Sequence, residues 1–411
     1  MSVVILRGDA ACLPLPDASV DLIVTSPPYW GLRDYRDGGE SLKGQIGSEE
    51  TPAQWLEALV ACTSEWARVL KPEGSMFVDL GDKRSARADG SAGRSGRRSH
   101  EAILPPARNS RAFGREKSLL LLPERYRIAC ADQLDLIVRA KIVWSKTSPL
   151  PESARDRVQT THEDVVHLTR NPRYFSAVDE IRVPHTGGTH ARRADRKLPP
   201  KGRAAVAAGH RRGFFPADRE NPLGKLPGSV WEIASEPLIV PGHLQADHFA
   251  TYPLELVRRI ILGWSPHGIC AACGQGRRPV TVESREVYHG RGARRSGAEQ
   301  RREGAGEKGW RQDEKWETSV SLAGYACGCP DTSAPTRPAV VLDPFGGSGT
   351  TALAADALGR AGISVDLSMD YGRIAQWRIA DPAERARALQ VPKPPPVPEG
   401  QGSLFDASEA S

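Results

Sequence analysis

Long apolar runs are missing from this chain. In 411 residues no stretch approaches the roughly 20 apolar residues a membrane-spanning helix needs, which excludes a helical membrane protein. The start, Met1-Ser2-Val3-Val4-Ile5-Leu6, lacks a basic segment followed by a long apolar one. No secretory signal is therefore expected, and the chain is expected to be cytoplasmic. Internal repeats are also missing. Cysteine is scarce, with seven residues, and charge of one sign is in only modest excess, at a net +6 and a pI of about 9.0. What is present is 39% hydrophobic residues and a mean hydropathy of −0.43, the balance of a soluble protein with a real core and long polar loops. The length exceeds one average domain, so one large domain with insertions or two domains is expected.

The distribution of charge says more than its sum. Basic residues crowd three loop-like stretches, Lys83 to Lys117, Arg182 to Lys225 and Arg277 to Lys315. Basic, weakly apolar loops favour a polyanionic partner; solvated surface loops are the competing explanation. Cys12, Cys62 and Cys130 sit singly among apolar residues and are expected to be buried thiols. The other four form two tight pairs, Cys270/Cys273 and Cys327/Cys329, a pattern that in a cytoplasmic chain favours metal over disulfides.

Strand and helix signals alternate. Val3 to Leu6 and Asp21 to Thr25 are strand-like, and Thr51-Pro52 opens a helix to Leu70 with apolar residues at helical spacing. Lys71 to Gly74 is expected to be a turn before a buried strand, Met76 to Leu80. Leu119 to Leu136 has helical character, Leu136 to Val138, Lys141 to Trp144 and Val165 to Leu168 are strand-like, and Pro253 to Trp264 is an amphipathic helix. Ala339 to Leu342 is a buried strand, Thr350 to Leu358 a helix and Gly362 to Asp366 a strand. This alternation predicts an α/β protein with a doubly wound, mostly parallel sheet. Arg84 to Arg115 is expected to be a mobile loop, and the Pro-rich, then polar 391–411 a disordered tail.

Two motifs carry the chemistry. Asp343-Pro344-Phe345-Gly346-Gly347-Ser348-Gly349-Thr350 leaves a strand and opens a helix, so its glycines let backbone amides approach a ligand. Its glycine spacing differs from the dinucleotide G-x-G-x-x-G pattern, and an acid ends the strand. That acid suits a ligand with a positive amino group, such as the methionine moiety of S-adenosylmethionine. Asp366 ends the next strand, about 20 residues on, where an acid can bind ribose hydroxyls. At the other end of the chain, Ser26-Pro27-Pro28-Tyr29 follows an apolar strand. The prolines fix the backbone and leave carbonyls free to accept. The Ser26 hydroxyl and Pro27 carbonyl suit the hydrogens of an exocyclic amino group, and Tyr29 offers a flat face to a base taken out of a duplex. Trp30 is expected to extend that wall. A proline turn and an unrelated glycine-rich turn are the bland alternatives; the two motifs together argue against them.

With these motifs in this order, the chain resembles DNA amino-methyltransferases of the β, or permuted, class, in which the catalytic motif precedes the cofactor motif. The resemblance covers most of residues 1–380. It includes Leu70 to Gly74 running into Leu80-Gly81-Asp82, Ile142 to Lys146, Pro151-Glu152-Ser153, His162-Glu163, Asn221 to Lys225 and Gly228 to Glu232. His248-Phe249-Ala250-Thr251-Tyr252-Pro253 is similar to a further wall of the cofactor site, and Gly8-Asp9 to the segment whose acid contacts the cofactor's adenine.

The resemblance implies a Rossmann-like methyltransferase fold, an S-adenosylmethionine cofactor, a duplex DNA partner and a direct methyl transfer to a flipped base. Ser-Pro-Pro-Tyr usually accompanies cytosine N4, with adenine N6 the alternative; a silent DNA-binding protein and RNA methylation are further readings. No Pro-Cys dipeptide is present, which argues against chemistry at cytosine C5. The implied layout is a catalytic half over 1–180 with a basic loop at 83–117, a target-recognition region at 181–247, a cofactor half over 248–266 and 338–385, and an insertion at 267–337. Within the recognition region Arg192-Arg193, Arg196-Lys197, Arg203 and Arg211-Arg212 are candidates for phosphates and guanine edges. A cognate restriction endonuclease is an implied partner.

Two features stand apart. Cys270, Cys273, Cys327 and Cys329 suit a four-thiolate zinc site, although the second pair is one residue short of C-x-x-C. Four reduced thiols near a loop base are the alternative. Gln401-Gly402-Ser403-Leu404-Phe405 resembles the short peptides that dock on the bacterial sliding clamp, against the alternative of an inert tail.

Overall fold

The computed structural model describes residues 3–32, 35–42, 44–85, 115–184, 221, 223–244, 251–288, 315–329 and 333–395. In chain order the strands are β1 (Val3–Arg7), β2 (Val20–Thr25), β3 (Arg36–Asp37), β4 (Glu40–Ser41), β5 (Leu70–Leu80), β6 (Ile137–Lys146), β7 (His162–Thr169), β8 (Val230–Ile233), β9 (Ile269–Cys270), β10 (Arg278–Tyr288), β11 (Lys315–Ala326), β12 (Thr336–Arg337), β13 (Val340–Asp343) and β14 (Ala361–Asp366). The helices are α1 (Pro52–Val69), α2 (Leu122–Leu134), α3 (Leu254–Trp264), α4 (Thr350–Ala357), α5 (Met369–Ala380) and α6 (Pro382–Leu389). None of the described helices is long and apolar enough to cross a membrane.

Contacts divide the chain into two units, one of Met1–Val178, Gly228–Arg277 and Cys327–Ser411, the other of Asp179–Pro227 and Arg278–Ala326. The first is built on an eight-stranded sheet in the order β1-β14-β13-β2-β5-β7-β6-β8. From β1 through β5 every pairing is parallel; β7 is antiparallel to both neighbours, and β8 is parallel to β6. The central strands are apolar on both faces because helices cover both. On one face Ile23, Met76 and Val78 pack with Trp55, Leu59 and Trp66 of α1 and Tyr126 of α2. On the other, Leu22, Val24 and Phe77 pack with α3 and with Leu353 of α4. Helix α1 starts where the Thr51-Pro52 signal places it: the Thr51 hydroxyl accepts from the Gln54 amide at 3.0 Å and the Gln54 side chain accepts from the Thr51 amide at 3.0 Å.

Two expectations need correction. Lys71 to Gly74 is not a turn between helix and strand but part of β5. Leu70 pairs with Val20 and Ser75 with Leu22, so the four residues bulge out of a continuous strand, anchored by Lys71 bound to Asp21 at 2.5 Å. Cys12 is exposed, because it closes a tight turn to Asp9 instead of entering an element; Cys62 and Cys130 are buried as expected.

The second unit holds the antiparallel hairpin of β10 and β11, in register from Arg278↔Ala326 to Tyr288↔Lys315 with a bulge at Val280/Thr281. Within that unit the Tyr325 hydroxyl donates to Glu180 at 3.2 Å, so residues from the stretches 181–247 and 267–337 and their borders fall into one compact body.

Candidate active site

Strand β13 lies beside β2 in parallel, so the ends of the two motif strands meet. The chain turns to opposite sides after them, β14 beyond β13 and β5 beyond β2, which makes this the switch point of the sheet. The two strand ends bond directly: the Thr25 hydroxyl donates to Asp343 Oδ1 at 2.7 Å across 318 positions of sequence. Asp343 is buried. Oδ1 also accepts from the Phe345 amide at 3.1 Å, and Oδ2 accepts from the hydroxyls of Tyr252 at 2.7 Å and Thr351 at 2.9 Å. Burial raises its pKa, and these donors oppose the rise. A carboxylate has about four acceptor positions, so Asp343 spends them on protein donors and fixes the shape of the loop that follows it.

The glycines that follow are needed for space and for backbone. A Cβ on Gly346 would lie 1.8 Å from the Ser364 hydroxyl on β14, and Gly349, with φ of 78°, caps α4 against Ala375. The loop is further held by Arg378 of α5, almost fully buried, which donates to the Ser348 carbonyl at 3.2 Å and the Thr350 hydroxyl at 2.8 Å and pairs with Glu384 at 2.9 Å.

Beside this loop opens a cavity with about 590 Å³ of empty space, counting the solvent at its open mouth. Its walls include Phe345, Gly347, Asp366, Leu367 and Tyr371 on the cofactor-motif side, Tyr35, Leu42, Gln45 and Ile46, and Ser26 and Pro28 from the other motif. Asp366 is anchored by the amides of Gly347 at 2.9 Å and Ser368 at 2.8 Å. Burial pushes its carboxyl up to about 6, with Asp343 and Asp37 adding to the rise.

Ser26 to Tyr29 run from the end of β2. The Pro28 carbonyl accepts from the Trp55 indole at 3.0 Å, which fixes the proline pair to α1. Among the described residues no protein donor meets the Pro27 carbonyl. The Tyr29 hydroxyl lies 3.3 Å from the Ser26 hydroxyl, donates to Glu163 at 2.7 Å and approaches Asp79 at 3.5 Å. Lys146 binds the other oxygen of Glu163. A Cβ at Gly81 would lie 2.8 Å from the Tyr29 ring, so glycine there leaves the ring room to lie against the backbone. Burial, then Asp79 and Glu163, hold the Tyr29 phenol well above its ordinary pKa. Burial, then Glu163, hold the Asp79 carboxyl above the usual carboxylate range.

Against known proteins, the sequence model of the N6/N4 methylases, described as DNA methylase, matches residues 20–269 and 334–376. This chain belongs to that family of DNA methylases. It is similar to the type II methyltransferase M.Cfr9I of Citrobacter freundii, 32% identical over 270 residues that cover 64% of this methylase and 73% of the relative. It is also similar to M.SmaI of Serratia marcescens, 31% identical over 271 residues, 64% of this chain and 76% of that one. Among solved structures, PvuII DNA methyltransferase (cytosine-N4-specific) aligns over 95% of this methylase and 93% of its own chain, with a TM-score of 0.50 at 15% identity, a likeness of fold. The doubly wound, mostly parallel sheet and the permuted motif order expected from the sequence are those of a methyltransferase.

The methylase brings Ser26, Pro28, Phe345, Gly347 and Asp366 to one cavity. Pro344, Gly346, Ser348, Gly349 and Thr350 shape the loop beside it. Asp9 sits on an exposed turn after β1, where its carboxylate accepts from the Ala11 amide at 2.9 Å, and is not among the cavity walls. The Thr251 hydroxyl donates to the Glu236 carbonyl at 3.3 Å. Phe249 and Ala250, the arginines between 192 and 212, most of the basic loop 83–117 and Gln401 to Phe405 lie outside the described residues. Trp30 does not extend the Tyr29 wall: it is 2% exposed, packs in the core, and its indole donates to the Glu49 carbonyl at 3.0 Å.

The sequence assigns no individual role to Asp79, Lys146, Glu163 or Arg378, and places Tyr252 only within a segment similar to a wall of the cofactor site. Asp79 had a signal, an acid inside the apolar run Met76 to Leu80. The others become visible only when strands pair.

Proposed function

We propose that this methylase transfers a methyl group from S-adenosylmethionine to the N4 amino group of cytosine within a specific duplex DNA sequence. The observation that carries this reading is a single cavity lined by Ser26 and Pro28 of one motif and by Phe345, Gly347 and Asp366 of the other. The residues fit the donor: Asp366 offers acceptors for two ribose hydroxyls, and Phe345, Leu367 and Ile46 offer apolar walls to an adenine ring. When bound, S-adenosylmethionine supplies an electrophilic methyl group on a sulfonium.

The rest of the reaction belongs to the protein. The Pro27 carbonyl and Ser26 hydroxyl accept the amino hydrogens and turn the nitrogen lone pair toward the methyl group, and Tyr29 stacks on the flipped base. As the nitrogen gains the methyl it must lose a proton. The contacts from Ser26 through Tyr29 to Glu163 offer that proton a path away from the amino group. The relatives' designation as type II methyltransferases supports a modification role beside a restriction endonuclease of the same specificity.

Mass spectrometry of nucleosides from duplex DNA of varied sequence, incubated with the protein and S-adenosylmethionine, tests the reading. N4-methylcytosine is expected. N6-methyladenine would keep the fold and the donor site but overturn the assignment of Ser26 to cytosine.

The donor site has its own pH signature. Ribose hydroxyls donate only usefully to the ionised form of Asp366, whose carboxyl in the free protein titrates at about 6. Cofactor affinity is therefore full above that pH and falls as pH drops through it, by about tenfold between pH 7.5 and pH 5. Calorimetry across this range checks it. A flat profile in the wild type, or the same decline in Asp366→Asn, would remove Asp366 from the ribose.

A further inference from the structure

We infer that Cys270, Cys273, Cys327 and Cys329 bind one structural zinc ion. Their sulfurs all lie within 4.8 Å of one another, although 53 residues separate Cys273 from Cys327. A tetrahedral ion with zinc–sulfur bonds of about 2.3 Å requires sulfurs about 3.8 Å apart, so only small side-chain rotations separate this cluster from a closed site.

The backbone around the first pair is shaped for thiolates. Cys270 ends β9, and the chain then folds back on itself: the Gly274 amide donates to the Cys270 carbonyl at 2.9 Å and the Cys270 amide to the Gln275 carbonyl at 2.9 Å. Gly274 takes a φ of 72°, which makes this reversal possible without strain. The reversal aims the amides of Ala272 and Cys273 at the Cys270 sulfur and that of Gln275 at the Cys273 sulfur. Amides directed at sulfur in a reversal after the first cysteine are the geometry in which a short cysteine pair presents both sulfurs to one point.

The second pair is brought to the first by two ties. The Gly328 amide donates to the Gln275 side chain at 3.2 Å, and β12 pairs with β9 through Thr336↔Cys270. Four sulfurs on one point, rather than two separate pairs, is the geometry of an ion and not of two disulfides. Four protein ligands close the coordination sphere, leaving no position for substrate, and soft thiolates in a tetrahedron select zinc among common divalent ions.

The ion's task follows from its place in the chain. The two pairs bracket the excursion from Arg278 to Ala326, and a bond between them closes that long loop at its base. β9 with β12, the Gln275 contact, the Ala271 amide to the Pro335 carbonyl at 2.9 Å and the first rungs of the β10–β11 hairpin also join the two chain ends; the ion adds direct bonds between them, where closing a loop of such length carries an entropy cost.

The test is metal analysis of the full chain purified without chelator after growth in zinc-supplemented medium. About one zinc per chain is expected, released as a mercurial titrates about four thiols while a zinc indicator records the ion. Cys270→Ser and Cys327→Ser should each hold less than about a tenth of an equivalent. If those variants fail to fold, the release measurement on the unaltered chain still decides. Zinc below about a tenth of an equivalent in the unaltered chain, iron in its place, or an intact mass showing disulfides would each overturn the proposal. None of these readouts depends on methyl transfer, so they stand apart from the proposed reaction.

Discussion

Tyr29→Ala lowers the methyl-transfer rate by about a thousandfold, while cofactor affinity stays within about threefold of the unaltered protein. The magnitude has two sources. Loss of a base-stacking ring costs about 1–3 kcal/mol. Loss of the hydroxyl removes the group lying 3.3 Å from Ser26 and bonded to Glu163 at 2.7 Å, so Ser26 is no longer held in place to accept the amino hydrogen. A misplaced acceptor costs roughly another hundredfold.

The two sources separate in Tyr29→Phe, which keeps the ring and should lose only about ten- to a hundredfold. Single-turnover rates with saturating DNA, together with calorimetry for the cofactor, read both effects. A Tyr29→Ala protein with more than about a tenth of the normal rate would show that a different ring stacks the base. Cofactor binding survives in either variant because Tyr29, unlike Ser26 and Pro28, does not line the cavity.

Asp343→Ala has the second large effect, on the cofactor itself: affinity falls by more than about a hundredfold. Thr25, Tyr252, Thr351 and the Phe345 amide all donate to this carboxylate. Alanine would leave them without their acceptor in a buried place, at about 1–3 kcal/mol for each group left unsatisfied. The loop that carries Gly346 to Gly349 would then lose its tie to β2. Asp343→Asn keeps an oxygen for Thr25 and Phe345 and should fall between the two. Calorimetric titration with S-adenosylmethionine measures both; normal affinity in Asp343→Ala would refute the assignment. A lowered thermal midpoint in the same variant is expected, because the lost bonds join two central strands.

Much of the candidate site's local geometry was legible because its parts are local. The Asp343 loop announces itself by a strand, an acid, crowded glycines and a helix, and each glycine answers a steric demand that acts within a few residues or against the next strand. Ser26-Pro27-Pro28-Tyr29 is legible for the same reason, since prolines after an apolar strand fix a short segment of backbone whatever surrounds it. Lys71 to Gly74 shows the opposite case. Its composition is that of a turn, but pairing with β2 on either side keeps it inside β5. Trp30 follows Tyr29 in sequence, yet α1 and the Glu49 carbonyl draw it into the core.

The sequence by itself determined the order of the two motifs, the alternation of strands and helices, and the pairing of cysteines into two short clusters. These depend on neighbours in the chain. Only the tertiary structure decided that β13 stands beside β2, that Asp343 is satisfied by Thr25 and Tyr252, and that Glu163 of β7 and Asp79 of β5 converge on Tyr29. It alone brings Cys327 and Cys329 to Cys270 and Cys273. The physical reason is that strand order in a sheet is set by which faces helices can cover together, a property of the whole packing, while periodicity and turn chemistry report only what one segment prefers.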